Sequence, residues 1–433
     1  MPAGFDDKPP RHHYSQGEIH LLIQFVLVGG SSLRGASRLF ELLQQHLNLP
    51  LQVPHWLTGR QWLLRVGYWK LVRAKERADD WVWLVDHSAQ IGQEKCLVIL
   101  GVRLSELPPV GECLRHEDLE LIELLPVTTS NQEVVHAQFE QAIAKTGVPR
   151  AILEDHGSDL HAGATQFCQQ HEHTLLLSDI KHKAARLLKH QLNDDTKWNS
   201  FSTLVGQTKF SMQQTELSQL VPPSQRSKAR FMNLGKLISW GRNTLAILED
   251  PPQEVLKHVT VERLEQKLGW LRQYREELAV WSRMQAVIDT TVSYVTSHGL
   301  YRGIAEELKE EVLSPLSHCA RSDLVRHELI SFVATESSKA RPGERLPGST
   351  EVLESCFGKL KYLEGEQSKS GFTGLLLSLG AIVSKTTQEV VTQAMTATRT
   401  RDVLQWCKDQ IGETLQAKRQ QAYGHFKPET DTG

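Results

Sequence analysis

Hydrophobic residues in this chain change their period twice, and the changes divide it into regions. Over residues 14–78 the spacing is helical. Ser15-x-x-Glu18 forms a capping box ahead of Ile19, Leu22, Ile23 and Val26, a run that stops at Gly29-Gly30. LRGASRLFELLQQHL follows Ser31-Ser32 as a second helix. A third, HWLTGRQWLLRVGYWKLV, interleaves Trp56, Trp62 and Trp69 with Arg60, Arg65 and Lys70. After Asp79-Asp80 the texture becomes that of strands. WVWLVD (81–86) and KCLVILGVRL (95–104) are short apolar runs joined by the polar HSAQIGQE, and LELIELLPV (119–127) is a third strand. A helix over 131–147, a strand over 150–155, a helix from 158 and a strand over 174–180 complete the order β-β-β-α-β-α-β. That order predicts a mixed five-stranded sheet flanked by helices, an α/β fold.

From about 183 to 345 no strand pattern remains. Charged helical segments such as VERLEQKLGWLRQYREELAVWSRM dominate, punctuated by Pro222-Pro223, Pro251-Pro252 and KARPGERLPGS. Helical texture returns at 350 and runs to about 424. Four parts are expected: a helical N-terminal domain over 1–78, a first core segment over 79–182, an all-α insertion over 183–348, and a completing segment over 349–433.

Charge sharpens this division. The 433 residues carry a formal net charge of −2. Residues 1–78 alone hold ten basic and five acidic side chains, so a basic front end precedes an acidic body. Such asymmetry suits one module that holds a polyanion and another that holds cations. Six cysteines without a CxxC pair give neither a disulfide framework nor a zinc site. The polar start MPAGFDDKPPRHHYS is no secretory leader, and no uncharged apolar run reaches membrane-spanning length, so a soluble, cytoplasmic, nucleoid-associated protein is expected.

Two aspartates end predicted strands, Asp86 the first and Asp155 the fourth. Side by side and parallel, those strands would deliver both carboxylates to one edge, where open α/β sheets collect ligands. A lone aspartate at a strand end is more often a turn or cap residue; the pair in this strand order is what points to a metal site. The order, with those aspartates, resembles the ribonuclease H-like core of DDE-type DNA transposases, including insertion-sequence transposases, and of retroviral integrases. Glu154-Asp155-His156-Gly157-Ser158-Asp159-Leu160 is similar to the integrase turn at the second catalytic aspartate, with Gly157 matching its glycine. Further on, Glu354, Phe357 and Lys361 share a helix face and resemble the Glu-x6-Lys helix of insertion-sequence transposases. The Arg and Tyr found ahead of that Glu in some families are here Thr350 and Pro347, which keeps Glu351 as a rival third acid.

The resemblance implies Asp86, Asp155 and Glu354 as catalytic metal ligands, Mg²⁺ as cofactor with Mn²⁺ able to substitute, cleavage at transposon ends and strand transfer into target DNA. It also implies work as a homo-oligomer on DNA, and a helical insertion after the fifth strand fits some of these enzymes. Arg34, Arg38, Arg60, Arg65 and Lys70 are expected to bind DNA through a helix-turn-helix-like arrangement, Arg230 to line the DNA path and Lys361 to approach DNA. Asp179 is expected to cap a helix rather than join the metal site, and Trp240, Trp270 and Trp281 to be core rather than base-stacking residues. The alternatives are a structure-specific nuclease on the same fold, or a catalytically silent, domesticated DNA-binding protein.

Overall fold

A computed structural model describes residues 4–91, 94–225, 231, 234–365, 373–412, 418 and 421–422. The chain divides into two compact units, Met1–Leu177 with Thr350–Gly433, and Ser178–Ser349.

The first unit holds a mixed sheet of order β3-β2-β1-β4-β5. Its strands are β1 (Trp81–Ile91), β2 (Glu94–Arg103), β3 (Glu120–Val127), β4 (Ala151–Glu154) and β5 (Leu175–Ser178). β1 pairs antiparallel with β2 and parallel with β4, and β2 pairs antiparallel with β3. This is an α/β arrangement consistent with a ribonuclease H-like core.

Alternation along the strands decides what each face buries. On one face Trp81, Trp83 and Val85 of β1, Leu97 and Ile99 of β2 and Ile152 of β4 meet Val135, Phe139 and Ala142 of α4 (Gln132–Thr146) and Leu160, Ala164 and Phe167 of α5 (Ser158–Gln170). The other face presents Val82, Leu84, Val98, Leu100, Leu121 and Leu153, all fully buried.

Three helices precede the sheet: α1 (Gln16–Leu27), α2 (Leu33–Leu47) and α3 (Trp56–Val72). The predicted capping box is formed, with the Glu18 N–H donating to Ser15 Oγ (3.2 Å) and the Ser15 N–H to Glu18 Oε2 (2.8 Å). In the second unit follow α6 (Ile180–Leu192), α7 (Thr196–Met212), α8 (Leu234–Glu249), α9 (Gln253–Leu256), α10 (Val261–Leu268), α11 (Arg275–His298), α12 (Ile304–Glu307) and α13 (Ala320–Ser337). The first unit resumes with α14 (Glu351–Gly365), α15 (Ser378–Ile382), α16 (Gln388–Ala397) and α17 (Thr400–Trp406).

Residues 1–78, expected as a separate domain, fall within the first unit. The cause is α3, which is buried nearly all round: Trp62, Leu63, Leu64, Val66 and Leu71 are each at most 3% exposed. A helix apolar on every side belongs in a core. α3 packs against α15, α16, α17 and β3. At its crossing with α15 the backbones meet directly, since a Cβ on Gly67 would lie 1.7 Å from the Leu377 carbonyl oxygen and one on Gly380 2.6 Å from the Gly67 oxygen. The same Gly380 lies against Leu121, which places α15 on the sheet face away from α4 and α5.

Among the described residues the second unit is helical, with one isolated bridge between Leu300 and Leu346. α11 packs against α6, α8 and α13. Its core is aromatic: Trp281 stands 4.9 Å from Trp198 and 5.2 Å from Phe201, and Trp270 and Tyr274 extend the cluster. Trp240 joins at 6.5 Å from Trp270, with its indole N–H on the Leu220 carbonyl. Trp281 is fully buried in this core, and Trp240 and Trp270 are half-buried at its border. No disulfide joins the six cysteines, and among the described residues no helix is long and apolar enough to cross a membrane.

Candidate active site

β1 does not stop at Asp86. Its polar continuation His87–Ile91 stays paired with β2, so Asp86 lies inside the strand, opposite Val98. The expectation of a strand end at Asp86 rested on where the apolar run stops; backbone pairing needs no apolar side chains. Asp86 accepts from the His87 N–H at 2.6 Å and is half-buried.

The parallel register Val82↔Ala151, Trp83↔Ile152, Leu84↔Leu153 runs β4 alongside β1, and β4 ends at Glu154, so Asp155 is the first residue past the strand. Asp86 belongs to the face of Leu84, opposite the α4–α5 core. Asp155 Oδ1 accepts from the Gly157 N–H at 2.9 Å, which folds the turn after β4 around the carboxylate.

α14 reaches the same face, packing against α15 and against β1. Val352, Leu353, Cys356, Phe357, Leu360 and Leu363 form its buried stripe. Glu354 borders that stripe and is half-buried, whereas Glu351 is exposed. Lys361 is exposed as well.

The opposite face carries a different network. His87, one residue on from Asp86, points away from it, as neighbours on a strand must. Its imidazole lies 3.5 Å from Ser130 Oγ. Burial lowers the His87 pKa, with Lys95 adding to the effect and Asp159 and Asp155 opposing it. Asp159, in the first turn of α5, pairs with Lys95 at 2.7 Å and accepts from Ser130. Burial alone would raise its carboxyl, but those hydrogen bonds outweigh it and hold it at about 2. Asp159 is thus held in a structural ion pair.

Beside it, sequence reasoning missed a group: Glu154, His156 and His161, whose ligand atoms lie within 4.8 Å of one another. The available signal was three metal-ligating side chains within eight residues, straddling the end of a strand and the start of a helix. Asp179, in the second unit, caps α6 by accepting from the His182 N–H at 2.6 Å.

No family model and no curated protein matches this sequence. Among solved structures, the Drosophila P element transposase strand transfer complex aligns with 91% of this chain and 94% of that one, at TM-score 0.38 and 11% identity. At that degree of likeness no function passes from one chain to the other.

The basic residues expected on DNA separate into two sets. Arg34 and Arg38 on α2 are exposed, and Arg34 stacks 4.9 Å over the Trp56 ring. Arg65 and Lys70 on α3 are buried, at 8% and 1% exposure, which corrects their assignment as DNA contacts. The Arg65 guanidinium donates to the carbonyls of Met395 (2.7 Å) and Thr398 (2.5 Å). The Lys70 ammonium donates to Val383 O and Thr386 Oγ1, each at 2.8 Å. Buried cations need such partners, and here they come from the C-terminal segment. Arg60 is half-buried, and burial lowers its pKa although Cys407 opposes the shift. Arg230 lies outside the described residues.

Proposed function

We propose that this chain is a DNA transposase of the DDE type, cutting phosphodiester bonds at element ends and joining the freed 3′-hydroxyl to target DNA. One observation supports it above the rest: Asp86 and Asp155 each follow by two places the last paired residues, Leu84 and Leu153, of adjacent parallel strands, and α14, bearing Glu354, packs against β1. Three carboxylates offer only oxygen, a donor set that fits a hard cation such as Mg²⁺, or Mn²⁺ in its place. Bound there, such ions would lower the pKa of a water and offset negative charge on the scissile phosphate.

The chain's own contribution is to hold its ligands before any ion arrives. Asp86 is held in β1 opposite Val98 of β2, and Asp155 accepts from the Gly157 N–H, so the backbone carrying each is set before an ion arrives. Glu354 comes on a helix from a distant part of the chain and takes the third position, with Glu351 turned outward. Exposed Arg34, Arg38 and Lys361 serve as phosphate contacts, and two element ends call for a homo-oligomer.

The test uses the full chain, DNA copied from the flanks of its coding region, a supercoiled plasmid and Mg²⁺. Joined products from the wild type and none from Asp86→Asn or in chelator are expected. Cleavage without joining would assign the chain to the structure-specific nucleases instead. Undiminished cleavage by Asp86→Asn would remove the carboxylates from the chemistry altogether.

A further inference from the structure

We infer that Glu154, His156 and His161 form a second metal site, distinct from the three-carboxylate set, for a borderline transition metal of the Zn²⁺ class. The donor chemistry differs from that of the acidic face: two imidazoles and one carboxylate suit Zn²⁺ or Co²⁺ and suit Mg²⁺ poorly. The geometry is close to what such an ion requires. Ligands about 2.0–2.1 Å from a tetrahedral centre stand about 3.4 Å from one another. Nδ1 of His161 lies 2.9 Å and Nδ1 of His156 3.6 Å from Glu154 Oε1, on either side of that value. The two rings face each other at 4.5 Å, tilted by 37°, so both nitrogens are directed at one carboxylate.

Two further features favour a built site over a chance cluster. Glu154 is completely buried at the end of β4, and its second oxygen accepts from the His156 N–H, which fixes the carboxylate's direction. His156 adopts φ +67°, a left-handed conformation that a residue with a Cβ rarely takes. That conformation bends the chain back so that a residue two places on reaches the same carboxylate. The histidine side chains retain 28% and 42% exposure, which leaves an open side for entry of the ion and for a fourth, solvent ligand.

Alternation sets Glu154 on the same face of β4 as Ile152, toward α5, and Asp155 stands between Glu154 and His156 in the chain. An ion there would clamp the turn that presents Asp155. The inference stands independently of the activity proposed above, because metal binding is read without DNA.

Co²⁺ is the probe, since its visible absorption reports tetrahedral nitrogen and oxygen ligation. Titration of the full chain is expected to saturate at one Co²⁺ per chain, and Zn²⁺ to displace it and raise the melting temperature. The signal should persist in Asp86→Asn/Glu354→Gln, which removes carboxylates of the other face. It should weaken by at least about 100-fold in affinity in His161→Gln and in His156→Asn. Asn tolerates positive φ, so His156→Asn keeps the turn while removing the ligand, and circular dichroism checks that it folds. A folded wild-type chain with no saturable Co²⁺ binding, or binding unchanged in both histidine variants, overturns the site.

Discussion

The Lys70 ammonium, in the third helix of the chain, sits 2.8 Å from the carbonyl oxygen of Val383, 313 residues further on. With Arg65 on the carbonyls of Met395 and Thr398, it makes the N-terminal helices and the C-terminal segment one body.

That placement makes stability depend on pH. Burial lowers the Lys70 pKa from its ordinary 10.5 to about 7, Arg73 and Lys75 adding to the effect and Glu120 opposing it. Between those values the unfolded chain binds a proton that the folded chain does not, so stability rises with pH across the window; below about 7 the cost of the buried charge is complete. Melting temperature is expected to climb from pH 7 to pH 9 in the wild type and to climb less in Lys70→Met. Some slope should remain, because burial also lowers Lys75, to about 8. A slope identical in both proteins would remove Lys70 as its source.

Arg65→Ala should act on folding. It leaves two buried carbonyls without their charged donor, at a cost of about 3 kcal/mol, measurable by urea unfolding. Arg34→Ala and Arg38→Ala remove exposed side chains and should change stability by less than about 0.5 kcal/mol. For DNA binding the order reverses: each exposed arginine, if it meets a phosphate, should lower the slope of log affinity against log salt by about 0.9. Salt slopes unchanged in both α2 variants would move DNA recognition off that helix.

The crossing of α3 over α15 is expected to reject even one methyl group. Gly67→Ala would drive a Cβ into a backbone oxygen rather than a flexible side chain, and should cost at least about 3 kcal/mol through displaced helices. Gly206→Ala, which has open space around it, serves as the control and should be near neutral. Equal melting temperatures for the two variants would contradict the close approach.

Glu354→Gln and Glu351→Gln separate the candidates for third acid. Loss of cleavage with DNA binding retained is expected for Glu354→Gln, as for Asp86→Asn and Asp155→Asn, because ligands of one site fail together. Glu351→Gln, altering an exposed carboxylate, should keep most activity. The reverse pattern would exchange their roles.

The strands and flanking helices of the sheet were readable because their apolar residues keep a local period, and Trp83, Ile99, Phe139 and Phe167 meet where that period puts them. That the strand bearing Asp86 runs beside and parallel to the one that precedes Asp155 rests on strand pairing, which no local pattern carries. Alternating Trp and cationic residues on α3 suggested a surface helix. Trp62, Arg65 and Lys70 are buried instead, and the acceptors that satisfy the two cations lie more than 300 residues away in sequence, a distance at which periodicity is silent. Glu154, His156 and His161 sat in plain view, but the turn that joins them depends on the left-handed backbone at His156, a conformation typical of glycine or asparagine.

The first unit is interrupted after β5 and resumes only at Thr350. During synthesis a ribosome therefore releases Asp86 and Asp155 long before it has made the helix that bears Glu354. The third helix, too, must wait for Val383 and Met395 before its buried cations find acceptors. Under the proposed activity, a nascent chain or a prematurely ended one is a harmless protein with two acids. On that reading, cutting ability would arrive only with about the last fifth of translation, and an incomplete copy would lack the third acid.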